Sequence, residues 1–225
     1  MAKQLQNRPN GVQVDADHYT EDYDALYRWI SYWYQVREAK RLRPGHVLEI
    51  GVGNGTVSAA LSRNGMRLTT LDLDPELGPG ICGDVRQLPF ADGAFDVVLC
   101  AQVLEHLPYN ELPALLAEIR RVTCRHAVIT LPCSRGGLFI VPTLIGVATT
   151  PKLALRLPLP NWLCRLFIRQ HKWEIGRLGY PIRRVREAIK SAGWRIKREL
   201  NPFLNTYHHF FVLEKRADAR DSAAA

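Results

Sequence analysis

Short apolar runs along this chain alternate with stretches whose apolar positions recur every three to four residues, the pattern of strands alternating with helices. From about Tyr19 to Arg41, Tyr23, Leu26, Tyr27, Ile30, Trp33 and Tyr34 fall at helical spacing. The spacing predicts a helix that packs an aromatic stripe on the domain; the alternative is that Tyr19 or Tyr23 covers a ligand. RPGHVLEIG then reads as a turn and a short buried strand. Thr56 to Asn64 is a predicted helix stopped by Gly65, and Arg67 to Asp72 a second strand. Ile81 to Asp84 holds a very short third strand and Phe95 to Cys100 a fourth. The unbroken apolar character of FDVVLC predicts burial on both faces, as in a parallel sheet. A helix over Glu111 to Val122 and a strand over His126 to Leu131 complete the alternation.

After Leu131 the rhythm breaks. Cys133 to Tyr180 reads as a long insertion at the carboxyl end of a strand. Beyond it, Ile182 to Ala192 is a predicted helix closed by Gly193, followed by strands over Trp194 to Leu200 and His208 to Lys215. Their connection, NPFLNTY, is too short for a helical crossover, so the two strands should pair antiparallel. The expectation is one α/β domain over residues 19–215, with an insertion at about 133–180, a flexible N-terminus over 1–18 and a disordered tail over 216–225. The 225 residues suffice for one buried core.

The stretch VLEIGVGNGTVSAAL, from Val47 to Leu61, ends a strand in glycines and opens a helix. Such a turn offers free backbone N–H groups and lets a ligand touch the main chain. A nicotinamide dinucleotide is one candidate, but its fingerprint places a third small residue where this chain has Thr56. Glu49, inside the strand end, would also repel a pyrophosphate; it suits an amine or a sulfonium. Asp72 closes the second strand, where it can accept hydrogen bonds from ribose hydroxyls. GDVRQLPF, from Gly83, offers Asp84 and the Val85 amide to an adenine amine. FDVVLCAQVLEHL follows from Phe95 to Leu107.

With these four ordered motifs, about residues 45 to 132 resemble the class I S-adenosylmethionine-dependent methyltransferases of the broad small-molecule type. The resemblance implies a Rossmann-like, seven-stranded, mostly parallel sheet with helices on both faces and an antiparallel last strand. It implies S-adenosylmethionine as cofactor. Glu49 would lie near its amino group, Gly51, Gly53 and Gly55 would line the methionine and ribose, and Asp72 would bind the ribose hydroxyls with Leu73 against the adenine. Asp84 would hold the adenine amine, Val85 its ring edge, and Gln102 would approach the methionine part or the transferred methyl. Asp74 and Asp96 read as turn and structural residues instead.

A general base is needed only for a hydroxyl or protonated-amine acceptor, and the candidates are His106, which the resemblance places at the mouth of the site, Glu105 and His171. Cys133 could serve as a nucleophile in a cytosine-methylating enzyme, but the second Pro-Cys segment such enzymes carry is absent, and Cys133 reads as a small strand-end residue. No metal-ligand set is assigned. The five cysteines are scattered without a CxxC, which together with the absent signal peptide favours a cytoplasmic chain.

Acceptor choice should lie in the insertion. From Ser134 to Trp173 there is no acidic residue, and six cations interleave apolar runs such as LFIVPTLIGVA. That composition suits a helical lid or dimer contact, or peripheral contact of 134–173 with an anionic membrane and a small, hydrophobic or lipid-linked acceptor. The net charge of +8 alone would admit RNA. The basic stretch from Arg183, however, lacks interleaved aromatic stacking residues, so nucleic acid is disfavoured. The alternatives carried forward are a noncatalytic protein of the same fold and an RNA methyltransferase; oligomeric state is open.

Overall fold

The computed structural model describes residues 19, 24–134, 137–140, 155–158, 171–202 and 205–216, with 137–140 and 155–158 described by backbone alone. The expected N-terminus, 1–18, all of the expected 216–225 tail beyond Arg216, and most of the insertion lie outside the described residues. The strands are β1 (His46–Ile50), β2 (Arg67–Asp72), β3 (Ile81–Cys82), β4 (Phe95–Ala101), β5 (Thr123–Pro132), β6 (Gly137–Ile140), β7 (Leu155–Pro158), β8 (Trp194–Leu200) and β9 (His208–Lys215). The helices are α1 (Leu26–Arg41), α2 (Thr56–Arg63), α3 (Leu112–Val122) and α4 (Ile182–Ser191).

The main sheet has seven strands in the order β3-β2-β1-β4-β5-β9-β8. β1 pairs parallel with β2 and β4, and β4 pairs parallel with β5. β9 runs antiparallel to both β5 and β8, so the two C-terminal strands pair as their short connection requires. Burial on both faces follows the strand period of two. Leu48 and Ile50, Val98 and Cys100, and Ala127 and Ile129 pack with Leu115, Ile119, Val185 and Ile189 of α3 and α4. Val47, Val97, Leu99, Val128 and Phe210 pack with Val57 and Leu61 of α2 and Ala39 of α1. Glu49 shares the second face and therefore points at α2.

Three expectations are corrected. β5 begins at Thr123 rather than His126, because Thr123 closes α3 with its Oγ1 on the Ile119 carbonyl (2.6 Å) and already pairs with Phe95. In the insertion, Gly137–Ile140 and Leu155–Pro158 form an antiparallel strand pair in place of the expected helical lid, and residues 141–154 and 159–170 lie outside the described residues. Much of the expected stripe of α1 faces outward: Leu26 is 78% exposed, Tyr27 45% and Trp33 58%, while Tyr34 packs on Phe210.

α1 sits on the sheet by a polar stripe, with Ser31, Gln35, Glu38 and Ala39 buried at helical spacing. The reason lies in what the sheet offers. His208 of β9 meets Ser31 Oγ through Nδ1 (2.6 Å), and Arg198 of β8 bonds the wholly buried Glu38, which Arg37 (2.7 Å) and Arg41 (3.3 Å) also neutralise. Burial drives the His208 imidazole down to a pKa of about 3, so it is neutral and acts as a packed polar group.

Candidate active site

Open parallel sheets bind ligands in the crevice beyond the carboxyl ends of their strands. Here that crevice is lined by the tips of β1, β2 and β4, by α1 through Arg28, Tyr32 and Gln35, and by Tyr19. The glycine turn makes its floor. Gly51 has φ 85°, and a Cβ there would come within 2.4 Å of Val103 Cγ2, so both backbone conformation and space demand glycine. Gly55 caps α2 in the left-handed conformation at φ 74° with open space around it, so backbone conformation alone selects it. Gly53 faces the Tyr19 ring, which puts Tyr19 over the turn; Tyr23 lies outside the described residues.

Glu49 is 3% exposed and accepts a hydrogen bond from Ser58 Oγ of α2 (2.5 Å). Burial pushes its carboxyl up to about 7, against the Ser58 hydrogen bond and assisted by the negative charge of Asp72. A cation placed beside it would be strongly favoured. Asp72 is braced by backbone: Oδ2 accepts from Val52 N (2.7 Å) and Oδ1 from Asp74 N (3.0 Å). Each oxygen keeps a lone pair for a further donor. Asp74 caps the next turn by accepting from Glu76 N (3.0 Å), and Asp96 accepts from the Gly45 and His46 amides (2.7 and 2.9 Å), so both are structural as expected.

Leu73, Asp84 and Val85 line the same crevice. Asp84 is shared: its Oδ1 accepts from Arg86 N (2.8 Å) and its Oδ2 faces Arg86 Nη1 (3.0 Å), while Arg86 Nε reaches Glu111 (2.8 Å). Gln102 lines the far end with a left-handed backbone, φ 57°. Its side-chain amide is tied down beneath the strand tips. In the orientation that satisfies every neighbour it donates to Glu105 Oε1 (3.2 Å) and accepts from Leu131 N (3.3 Å). Gln102 thus borders the crevice with its amide engaged by Glu105 and the end of β5.

His106 also lines the crevice, and His171 lies outside it with ring centroids 5.1 Å apart. The segment from His171 is clamped to the core: Ile175 N bonds Pro132 O (2.9 Å), Ser134 N bonds Ile175 O (2.8 Å), and the buried Trp173 donates Nε1 to Leu107 O (3.0 Å). His171 Nδ1 meets Glu174 Oε1 (2.9 Å), and Tyr207 OH donates to the same oxygen (3.2 Å). Glu174 Oε2 accepts from Ser134 Oγ and faces Arg177 Nε (3.3 Å). Burial works to raise the Glu174 carboxyl, but the His171 and Ser134 hydrogen bonds and Arg177 outweigh it and hold it below its ordinary value. Burial, with Glu174's charge assisting, pushes Glu105 up to about 8. Cys133 is 3% exposed at the end of β5, its N–H on Tyr207 O (2.6 Å), which fits its reading as a strand-end residue.

Glu49, the three glycines, Asp72, Leu73, Asp84, Val85, Gln102 and His106 thus all border the strand tips, and His171 does not line the cleft. Sequence reasoning missed Glu174, Tyr207, Arg28, Tyr32 and Gln35. Only Glu174 carried a local signal, at three residues from His171 in HKWE.

The sheet order and its reversed ninth strand give the fold shared by solved S-adenosylmethionine-dependent methyltransferases. Residues 48–131 match the methyltransferase domain family. Among curated proteins, the chain is 35% identical over 85 residues to the ubiquinone biosynthesis O-methyltransferase of Xanthomonas axonopodis pv. citri, covering 30% of this chain and 36% of that protein. It is 39% identical over 84 residues to the malonyl-[acyl-carrier protein] O-methyltransferase of Herminiimonas arsenicoxydans, covering 31% of this chain and 32% of that one. The chain thus spans about a third of the length of these relatives. Among solved structures it resembles the Burkholderia thailandensis 1,6-didemethyltoxoflavin-N1-methyltransferase with bound 1,6-didemethyltoxoflavin and S-adenosylhomocysteine. The TM-score is 0.57 at 16% identity, over 89% of this chain and 84% of that chain, a likeness of fold.

Proposed function

We propose that this chain binds S-adenosylmethionine and transfers its methyl group to a nucleophilic atom of a small, hydrophobic or lipid-linked acceptor. The observation that carries this reading is the one cleft joining buried Glu49, the glycine turn, the amide-braced Asp72 and the Asp84–Val85 segment. Glu49 would face the cofactor's ammonium, directly or through water. Gly51, Gly53 and Gly55 would flank the methionine and ribose, Asp72 would accept from the ribose hydroxyls, and Leu73, Asp84 and Val85 would hold the adenine. Gln102 and His106 then stand at the sulfonium and acceptor end. Bound there, the cofactor would supply an electrophilic methyl carbon for in-line attack by the acceptor's nucleophile, its sulfur keeping the carbon–sulfur electron pair as the thioether of S-adenosylhomocysteine and the acceptor losing its proton when it carries one. Orientation and exclusion of water supply most of the acceleration in such a transfer. The relatives named O-methyltransferases favour an oxygen nucleophile.

The hydrophobic acceptor is supported by α1, whose inner face lines the cleft while Leu26, Tyr27, Trp29 and Trp33 stand exposed on the other. Arg37 stacks on Trp33 and Tyr34 at 4.6 and 4.1 Å from their centroids, and the helix's single acid, Glu38, is buried and neutralised. Aromatic and cationic groups without exposed acids suit the surface of an anionic membrane. No helix among the described residues is long and apolar enough to cross one. The insertion segment first assigned to this contact lies largely outside the described residues. On this reading the chain works at a cytoplasmic membrane face.

The basic face from Arg183 fits a solvated surface better than RNA, since Arg186 is held by Glu199 (2.8 Å) and Arg195 by Glu214. Calorimetry with S-adenosylhomocysteine tests the cofactor; no binding by the full chain overturns the proposal. Incubating methyl-labelled S-adenosylmethionine with separate lipid, RNA and small-metabolite extracts locates the acceptor, and label in the RNA fraction alone would sink the lipid assignment.

A further inference from the structure

Beside the acceptor end of the cleft, the adjacent Glu105 and His106 meet His171 from far along the chain. One ligand atom each of Glu105, His106 and His171 lies within 4.8 Å of the other two. Glu105 is wholly buried, and its Oε2 meets no hydrogen-bond partner among the described residues. Its other oxygen is engaged by Gln102, which fixes the carboxyl where it stands. A buried carboxyl oxygen left without a donor is what a bound cation would complete. His171 is oriented by a carboxylate: Glu174 Oε1 takes Nδ1, and Ser134, Tyr207 and Arg177 hold Glu174 in turn. That leaves Nε2 as the nitrogen available to a ligand. A carboxylate behind the distal nitrogen is the usual support of a metal-bound histidine, setting its tautomer and raising its basicity. A histidine serving only to fill space needs no such scaffold.

We infer that Glu105, His106 and His171 form a site for one divalent transition-metal ion, with Glu174 as the group that positions His171. Two imidazoles and one carboxylate are a donor set for zinc or a similar first-row ion, with at least one position left open. His106 also lines the cleft, so the open position faces the acceptor end. The metal site itself stands on geometry alone. Its service to the acceptor rests on the methyl-transfer reading, and narrows the acceptor to molecules presenting an oxygen that a cation can hold, such as a phenol or an enol.

The probe is the metal alone. The full chain is stripped with a chelator, dialysed, and titrated with zinc by calorimetry and with cobalt(II) by visible absorption. S-adenosylhomocysteine affinity is measured on the same samples. The expected result is one equivalent bound, with cobalt d–d bands typical of four or five coordination. His171→Ala should weaken zinc at least 10-fold, and Glu174→Gln by about 10-fold. S-adenosylhomocysteine affinity in His171→Ala should stay within about 2-fold of the parent chain, since His171 does not line the cofactor cleft; this also reports folding. Less than a tenth of an equivalent of either metal on the parent chain overturns the site and needs no variant. So does full-affinity metal binding retained by both His106→Ala and His171→Ala, which would place the ion on other ligands. Metal failure with intact S-adenosylhomocysteine binding removes this inference only. Failure of S-adenosylhomocysteine binding removes the methyl-transfer reading and leaves the metal result standing.

Discussion

Glu49 makes cofactor binding a proton-coupled event. Burial raises its carboxyl to about 7 in the free protein, so at pH 6 about nine chains in ten carry it neutral and at pH 8 about one in ten. An ammonium beside it favours the anion and so draws the carboxyl well below that value in the complex. With the bound carboxyl fully ionised, binding at pH 6 expels about 0.9 proton, and at pH 8 about 0.1. Apparent affinity then falls by up to about tenfold from pH 8 to pH 6, or about 1.4 kcal/mol. The assay is titration calorimetry with S-adenosylhomocysteine in buffers of different ionisation enthalpy at each pH. The slope of heat against buffer enthalpy reads the protons released. Glu49→Gln should flatten both the affinity profile and the slope, while remaining weaker than the parent chain at pH 8. A dissociation constant that changes less than twofold between pH 6 and 8, without buffer dependence, refutes the reasoning. So does an unchanged slope in Glu49→Gln.

The same carboxyl predicts a stability effect of opposite sense. Its folded value of about 7 lies above the ordinary 4.5, so its contribution is fully present below 4.5 and lost as pH rises through 7, on the order of 3 kcal/mol. Thermal melts of the ligand-free chain should show that loss, and Glu49→Gln should remove it. Gly51→Ala, forced into a left-handed backbone and against Val103, should abolish S-adenosylhomocysteine binding in calorimetry. Gly55→Ala, with open space, should cost only about 1 kcal/mol in denaturant unfolding. Asp72→Ala removes the acceptor of two backbone amides as well as the ribose partner, and should weaken S-adenosylhomocysteine more than about 100-fold by calorimetry. Trp29→Ser with Trp33→Ser should lower flotation with anionic vesicles severalfold at low salt while leaving the melting temperature within about 1 °C, since both indoles are half exposed; unchanged flotation removes α1 from the membrane reading.

The cofactor half of the site was legible because its residues are local. Glu49, the glycines and Thr56 occupy one strand–turn–helix, and Asp72 ends the next strand, so spacing alone placed them together. The orientation of α1 was not legible. Hydrophobic periodicity assumes an apolar seat, whereas this helix sits on His208 and Arg198, residues of strands far along the chain whose polarity no window around α1 contains. The His106–His171–Glu174 group was half visible. The histidines were named singly, but what unites them is the pairing of Ile175 with the end of β5 and of Cys133 with Tyr207, contacts set by sheet order. Arg86 stood in the quoted motif without a role, because its bridge from Asp84 to Glu111 spans two loops.

The placement of β9 has a bearing on how the chain assembles. It occupies the interior of the sheet, between β5 and β8, although it is the last strand among those described. During synthesis β8 emerges first yet has no neighbour to dock on, and β5 keeps an unprotected edge until residues 208–215 arrive. The two C-terminal strands should therefore form and open as one cooperative unit, and amides of β8 should never outlast those of β9 in hydrogen exchange.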